Sequence, residues 1–188
     1  MNNKSEFLEF TIDIAKQAGK IQNKYFGEIL DFDTKSTNID LVTIADQQSE
    51  LLIIDKIKKQ FPTHSILAEE NGLIENESDY MWVIDPLDGT TNFSHNLPIF
   101  AVSIALVKNK KTICGVVYNP AADKCFYAEN NKGAFLNDKL IKHSSSKTLS
   151  ESLIATGFPY LHDKKYDISF EIFKTVYDKT RGVRRLGS

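Results

Sequence analysis

Trp82-Val83-Ile84-Asp85-Pro86-Leu87-Asp88-Gly89-Thr90-Thr91-Asn92-Phe93 ends an apolar run with two carboxylates three residues apart. Asp85 and Asp88 supply hard oxygen ligands of the kind Mg²⁺ takes, and Pro86 stiffens the link between them so that the Leu87 carbonyl also turns towards a cation. Gly89 and Thr90 follow with free backbone N–H groups. A helical turn starting there presents those amides, and the positive end of its dipole, to a phosphate. The same letters also read as a plain turn, because Pro suits the second turn position, Asp bonds its own backbone and Gly tolerates positive φ. Residues elsewhere in the chain decide between the two readings.

Upstream, Ser65-Ile66-Leu67-Ala68 reads as a short buried strand running straight into Glu69-Glu70, so a second carboxylate cluster stands at a strand's C-terminal end. Further back lies Asp40-Leu41-Val42-Thr43-Ile44-Ala45-Asp46. Thr43 with Asp46 three residues later, ahead of Leu51, Ile54 and Ile57, has the form of a capping box and sets a helix start near Thr43. Taken alone, Asp46 is then no more than a favourable charge in a first helical turn.

Together, Asp46, Glu69-Glu70 and Asp85-Pro86-Leu87-Asp88-Gly89-Thr90 resemble the signature of the inositol monophosphatase family, the lithium-sensitive, Mg²⁺-dependent phosphatases. The likeness extends to Lys35-Ser36, Asn92-Phe93 with His95, Val102-Ser103-Ile104, Gly115-Val116-Val117-Tyr118, Ala155-Thr156-Gly157-Phe158-Pro159 and Arg184-Arg185-Leu186-Gly187-Ser188, nearly the whole chain. The resemblance implies an α/β (α+β) protein, a layered α-β-α-β-α sandwich of the inositol monophosphatase and fructose-1,6-bisphosphatase type. It implies Mg²⁺ held by Glu69, Asp85 and the Leu87 carbonyl, with Asp85 bridging to a second ion at Asp88. Glu69, Thr90 and Asp46 become the catalytic residues, Thr90 and Asp46 helping to activate the attacking water. Glu69, Leu87, Asp88, Gly89, Thr90 and Ser188 become the substrate contacts, and Glu70 and Lys35 shape an outer shell. His95 is expected to make a structural hydrogen bond. In relatives a further segment carries a Trp-Asp motif that completes the second metal site, so the resemblance makes the second half incomplete, with residues 1–142 an N-terminal α+β part and 143–188 the start of a C-terminal one. The substrate it implies is a small phosphate monoester, inositol 1-phosphate first, with fructose 1,6-bisphosphate, histidinol phosphate or another sugar phosphate as alternatives. A homodimer is expected of the full-length protein. Some family members are RNA-polymerase-associated regulators, which makes a non-catalytic binding protein the competing class.

Composition bounds these expectations. A chain of 188 residues, 41% hydrophobic, buries a sizeable core in one unit or two small ones. A net charge of −2 gives no general electrostatic reason to bind nucleic acid or an anionic membrane. The basic cluster Lys179, Arg181, Arg184 and Arg185 reads as a solvated terminus. Cys114 and Cys125 show neither CxxC nor disulfide-framework spacing, which points to reduced thiols in the cytoplasm. His64 and His143 fall in loop-like segments without metal spacing.

Periodicity supplies the elements. Phe7, Phe10, Ile14, Ala18, Ile21 and Tyr25 recur at helical steps and predict an amphipathic helix over residues 4–26. Residues 27–42 read as a loop or hairpin, followed by the helix from Thr43 to just before Pro62. Residues 100–107, 112–118 and 124–128 read as successive strands separated by Asn109-Lys110 and Asn119-Pro120, with Asn137-Asp138 a further tight turn. Residues 149–155 read as a strand, and Tyr166, Phe170, Phe173 and Tyr177 predict a late helix. Trp82 and Phe93 are assigned to the core.

Overall fold

The computed structural model describes residues 4–28, 35–158 and 164–187, without the side chains of residues 35–41 and 164–165. The chain divides into two compact units, Met1–Ile141 and Lys142–Ser188.

The first unit starts with α1, Glu6–Tyr25. The Ser5 side chain accepts from the Leu8 N–H and so caps the helix, while Glu6 and Glu9 complement its positive end. Its buried face is Leu8, Thr11, Ile14, Ala15, Ala18, Gly19 and Gln22. A Cβ on Gly19 would lie 2.6 Å from the Tyr118 ring, so this close approach of helix to sheet requires glycine. The second helix, α2, spans Lys35–Gln60. It begins two turns before the expected start at Thr43, and residues 35–42, read as loop from Ser36, Thr37 and Asn38, are helical. Such residues favour caps and turns in isolation, and the helix runs through them against that propensity. One consequence is that Asp46 lies well inside a helix and not in its first turn.

An eight-stranded sheet follows. Its strands are β1 Ser65–Ala68, β2 Gly72–Ile74, β3 Tyr80–Asp88, β4 Ala101–Lys108, β5 Lys111–Asn119, β6 Lys124–Glu129, β7 Gly133–Leu136 and β8 Lys139–Ile141, in spatial order β2-β1-β3-β4-β5-β6-β7-β8. All neighbours are antiparallel except β1 and β3, which run parallel with Ala68 opposite Ile84. The hairpin turns Asn109-Lys110 and Asn137-Asp138 carry positive φ at both residues, the backbone that two-residue hairpins need. Helices α1 and α2 cover one face of the sheet, burying Ile14, Ile53, Ile57, Ile66, Trp82, Ile104 and Leu106 in one cluster. On the other face a row runs straight across all eight strands: Leu73, Leu67, Val83, Ala105, Gly115, Ala128, Ala134 and Ile141.

Between β3 and β4 lies α3, Thr90–Ser94. Beneath it a smaller cluster of Ala45, Leu87, Phe93 and Phe100 packs with Phe26, whose ring lies 4.8 Å from that of Phe100. Trp82 and Phe93 are both fully buried.

The second unit holds a 3₁₀ turn at Leu149–Glu151, β9 Leu153–Ala155, α4 Lys164–Tyr177 and β10 Gly182–Arg184. Strand β9 is shorter than the stretch expected, and it pairs in parallel with β10. The aromatic side of α4 packs Phe170 and Phe173 on Phe158, with the Phe170 ring 4.6 Å away. Arg185 lies 5.9 Å from the Phe158 ring and Arg184 belongs to β10, so part of the basic cluster is structured. Among the described residues no helix is long and apolar enough to cross a membrane.

Candidate metal and phosphate site

Because β1 and β3 are parallel, they finish on the same side of the sheet. Glu69-Glu70 leave β1 where Asp85 sits in β3, one residue past the Ala68–Ile84 pair. The sequence motifs are brought together by that pairing. Beyond Asp85 the β3–β4 register shifts: Asp85 faces Ser103 but Asp88 faces Ala101, so Pro86 and Leu87 stand opposite the single residue Val102. This is a β-bulge, which interrupts the ladder and re-aims the strand at Asp88. Pro86 fits such a place because it has no N–H to contribute.

Helix α2 adds Asp46, only 7% exposed. Its carboxyl is pushed up to about 7, first by burial and then by the charges of Glu70, Glu69 and Glu50. Asp85 is likewise pushed up to about 7, first by burial, then by the charge of Glu69 and a hydrogen bond with it, and by Asp88 and Asp46. Six carboxylates therefore act on one another, and among the described residues no lysine or arginine forms an ion pair with any of them. Two oxygens, Asp46 Oδ1 and Asp85 Oδ1, are buried without a hydrogen-bond partner among the described residues. Burying carboxylate oxygens unpaired is costly unless a cation compensates. Among the described residues no three acidic, His or Cys side chains already surround a common point. The donor set nevertheless fits a divalent cation: crowded, desolvated carboxylates with unpartnered oxygens are what Mg²⁺ coordinates.

Two buried residues that the sequence did not single out hold these ligands. Glu50, fully buried one helical turn after Asp46, accepts from the Glu70 N–H at 3.1 Å, the Asn71 N–H at 3.0 Å and the Asn71 side-chain amide at 2.5 Å. It thereby fixes the turn that carries Glu69 and Glu70. Gln22, fully buried on α1, donates from Nε2 to the Pro86 carbonyl at 2.5 Å. A polar residue within an otherwise apolar helical stripe is the signal each left in the sequence: Gln22 follows Ile14 and Ala18, and Glu50 precedes Ile53, Ile54 and Ile57.

Gly89 stands before α3 with φ 87°, and a Cβ there would lie 2.9 Å from the Ile99 carbonyl oxygen, so both conformation and space require glycine. Thr90 opens α3 and is exposed, while α3 packs on α2. Leu87 is buried beneath the bulge. His95 Nδ1 lies 2.8 Å from the Thr91 carbonyl and 3.1 Å from Ser94 Oγ, contacts that close α3. His64, read as a loop residue, is part of an aromatic stack at the other end of β1 and β3. The Lys35 side chain and Ser188 lie outside the described residues.

The sequence profile of the inositol monophosphatase family matches residues 3–188. An inositol-1-monophosphatase of Mesorhizobium japonicum is 37% identical over 188 residues, 98% of this chain and 70% of that protein. The Nus factor SuhB of Pasteurella multocida is 39% identical over 184 residues, 96% of this chain and 68% of that protein. The crystal structure of extragenic suppressor protein suhB from Bartonella henselae superposes with a TM-score of 0.86 at 35% identity, over 98% of this chain and 70% of the other. The chain spans between 64% and 72% of the length of such curated relatives.

Proposed function

The chain belongs to the inositol monophosphatase family, and on that premise we propose that it hydrolyses phosphate monoesters with Mg²⁺ as cofactor and inositol 1-phosphate as substrate. The observation that carries the reading is the pair of buried oxygens on Asp46 and Asp85 that, among the described residues, have no hydrogen-bond partner, within a carboxylate cluster that none of the described lysines or arginines pairs with. Glu69, Asp85, Asp88 and the Leu87 carbonyl would hold Mg²⁺, with Glu70 and Lys35 in the outer shell. Bound there, Mg²⁺ supplies Lewis acidity towards the phosphate and the leaving oxygen. The chain's own residues do the rest. The Gly89 and Thr90 amides receive phosphate oxygens. Asp46 and Thr90 help to activate the attacking water near Glu69, with the Asp46 carboxylate as the acceptor of its proton. The buried, free thiols Cys114 and Cys125 agree with a cytoplasmic protein, and the full-length form is proposed to be a homodimer.

Phosphate release from inositol 1-phosphate tests this. Turnover is expected only with added Mg²⁺, and unchanged hydrolysis in excess chelator would refute it. Fructose 1,6-bisphosphate and histidinol phosphate run alongside decide the substrate. The likeness to a Nus factor favours a second reading, a regulatory protein associated with RNA polymerase. Mg²⁺ binding without turnover on any of the three phosphates would select it.

A further inference from the structure

The β3 bulge, one extra residue, leaves Pro86 and Leu87 outside the regular ladder. Every buried carbonyl there still needs a donor. The one that serves Pro86 comes from neither strand but from α1, where Gln22 Nε2 reaches the carbonyl at 2.5 Å across 64 residues of sequence. The amide's orientation is fixed by chemistry, since a carbonyl only accepts and Gln22 must present its NH₂ group. Its own Oε1 is then left buried with no partner. Nothing in packing alone calls for that. The rest of the buried face of α1 is Leu8, Thr11, Ile14, Ala15, Ala18 and Gly19, where the one other polar side chain, Thr11, is satisfied by the Phe7 carbonyl, and a leucine at position 22 would fill the place without a stranded oxygen.

We infer that Gln22 is a positioning residue for the cation site: it pins the Pro86–Leu87 peptide plane, and with it the geometry of Asp85 on one side of the bulge and of the Leu87 carbonyl and Asp88 on the other. The inference rests on the metal reading proposed above. Residues that hold ligands in place through a hydrogen bond change metal affinity by tenfold or more when lost. Gln22 touches neither substrate nor cation.

The test is Mg²⁺ titration calorimetry on the whole chain with Gln22→Leu, which keeps the volume, and Gln22→Asn, which keeps the amide but is one methylene too short. Both variants are expected to bind Mg²⁺ about tenfold more weakly than the parent. Their metal-free melting temperatures should fall modestly, because the Pro86 carbonyl loses its donor, and exchange of the Leu87 and Asp88 amides should quicken while the α1 amides stay protected. Raising Mg²⁺ should restore whatever turnover the parent shows. Unchanged Mg²⁺ affinity and unchanged amide exchange, in whichever of the two variants folds, overturn the inference and reduce Gln22 to packing. A parent chain that binds no Mg²⁺ overturns the metal reading itself, a result distinguishable from normal parental binding with undisturbed variants.

Discussion

Strands β1 and β3 begin and end in opposite chemistries. Where they begin, His64 is stacked between Phe61 and Tyr80, at 5.0 and 4.6 Å, and accepts a hydrogen bond from Trp82 Nε1 at 3.1 Å. Phe7 and Phe10 of α1 close the same cluster. Every named ring has a neighbour and the buried indole N–H has an acceptor. Where the strands end, Glu69, Glu70, Asp85 and Asp88 crowd against Asp46, and two buried oxygens have no partner. Two parallel strands thus carry a satisfied end that holds the fold and an unsatisfied end that awaits a ligand. A site of this kind is tolerated because the opposite end supplies the stability.

The comparison breaks most easily at its stable end. Trp82→Ala removes a fully buried indole and strands the His64 acceptor, and about 3–5 kcal/mol of unfolding free energy should be lost in urea titrations. Turnover per folded molecule should change little; a large loss of activity at full foldedness would show that the two ends are not separable. At the other end the balance reverses. Asp85→Asn should cost at least about two orders of magnitude in turnover, the scale of removing one key electrostatic stabiliser. The metal-free protein should melt no lower at neutral pH, because a carboxyl displaced to about 7 is a charge the fold resists. A clear drop in its melting temperature would contradict the account of strain at this end.

Glu50 is a smaller and sharper case. Its two oxygens meet the Glu70 N–H on one side and the two donors of Asn71 on the other. Glu50→Gln turns one oxygen into an NH₂ group, which then opposes an N–H. The Glu69-Glu70 turn should loosen and Mg²⁺ affinity fall about tenfold by calorimetry. Undiminished affinity would make Glu50 a fold residue like Trp82.

What the sequence revealed follows the range of the interactions involved. Helix α1 and strands β4 to β6 were legible because an apolar stripe repeats locally, at helical steps in the half-buried Phe7 and Phe10 and the buried Ile14 and Ala18, and at every second residue in Val102, Ile104 and Leu106. The carboxylate motifs were legible because Asp85 and Asp88 are near neighbours on the chain. The start of α2 at Lys35 was not, since Ser36, Thr37 and Asn38 taken locally favour a turn. The short strands β2, β7 and β8 offer too few alternations to announce themselves. The partners of Gln22 and Glu50 lie 64 and 20 residues away, and no local pattern encodes which carbonyl or amide a buried polar side chain will meet.

The two ends also titrate with opposite sign, which separates them in one experiment. Burial and neighbouring carboxylates push Asp46 and Asp85 up to about 7 in the folded metal-free chain from an ordinary 3.8, so they favour folding most below the lower value and cease to as pH rises through 7. His64 behaves in reverse. Burial lowers its pKa from 6.5, so its contribution is complete above 6.5 and drains away as acid rises, when protonation of Nδ1 would also remove the acceptor for Trp82. The parent's melting temperature between about pH 5 and 8 is the sum of both slopes. Asp85→Asn should remove part of the gain on acidification, whereas His64→Asn, whose oxygen still accepts from the indole but does not titrate, should remove part of the loss. Added Mg²⁺ competes with protons only at the carboxylate end, so it should flatten the first slope and leave the second. If His64→Asn keeps the parent's full loss below 6.5, the aromatic end is not the acid-sensitive one, and the division of labour between the two ends of β1 and β3 fails at its smallest term.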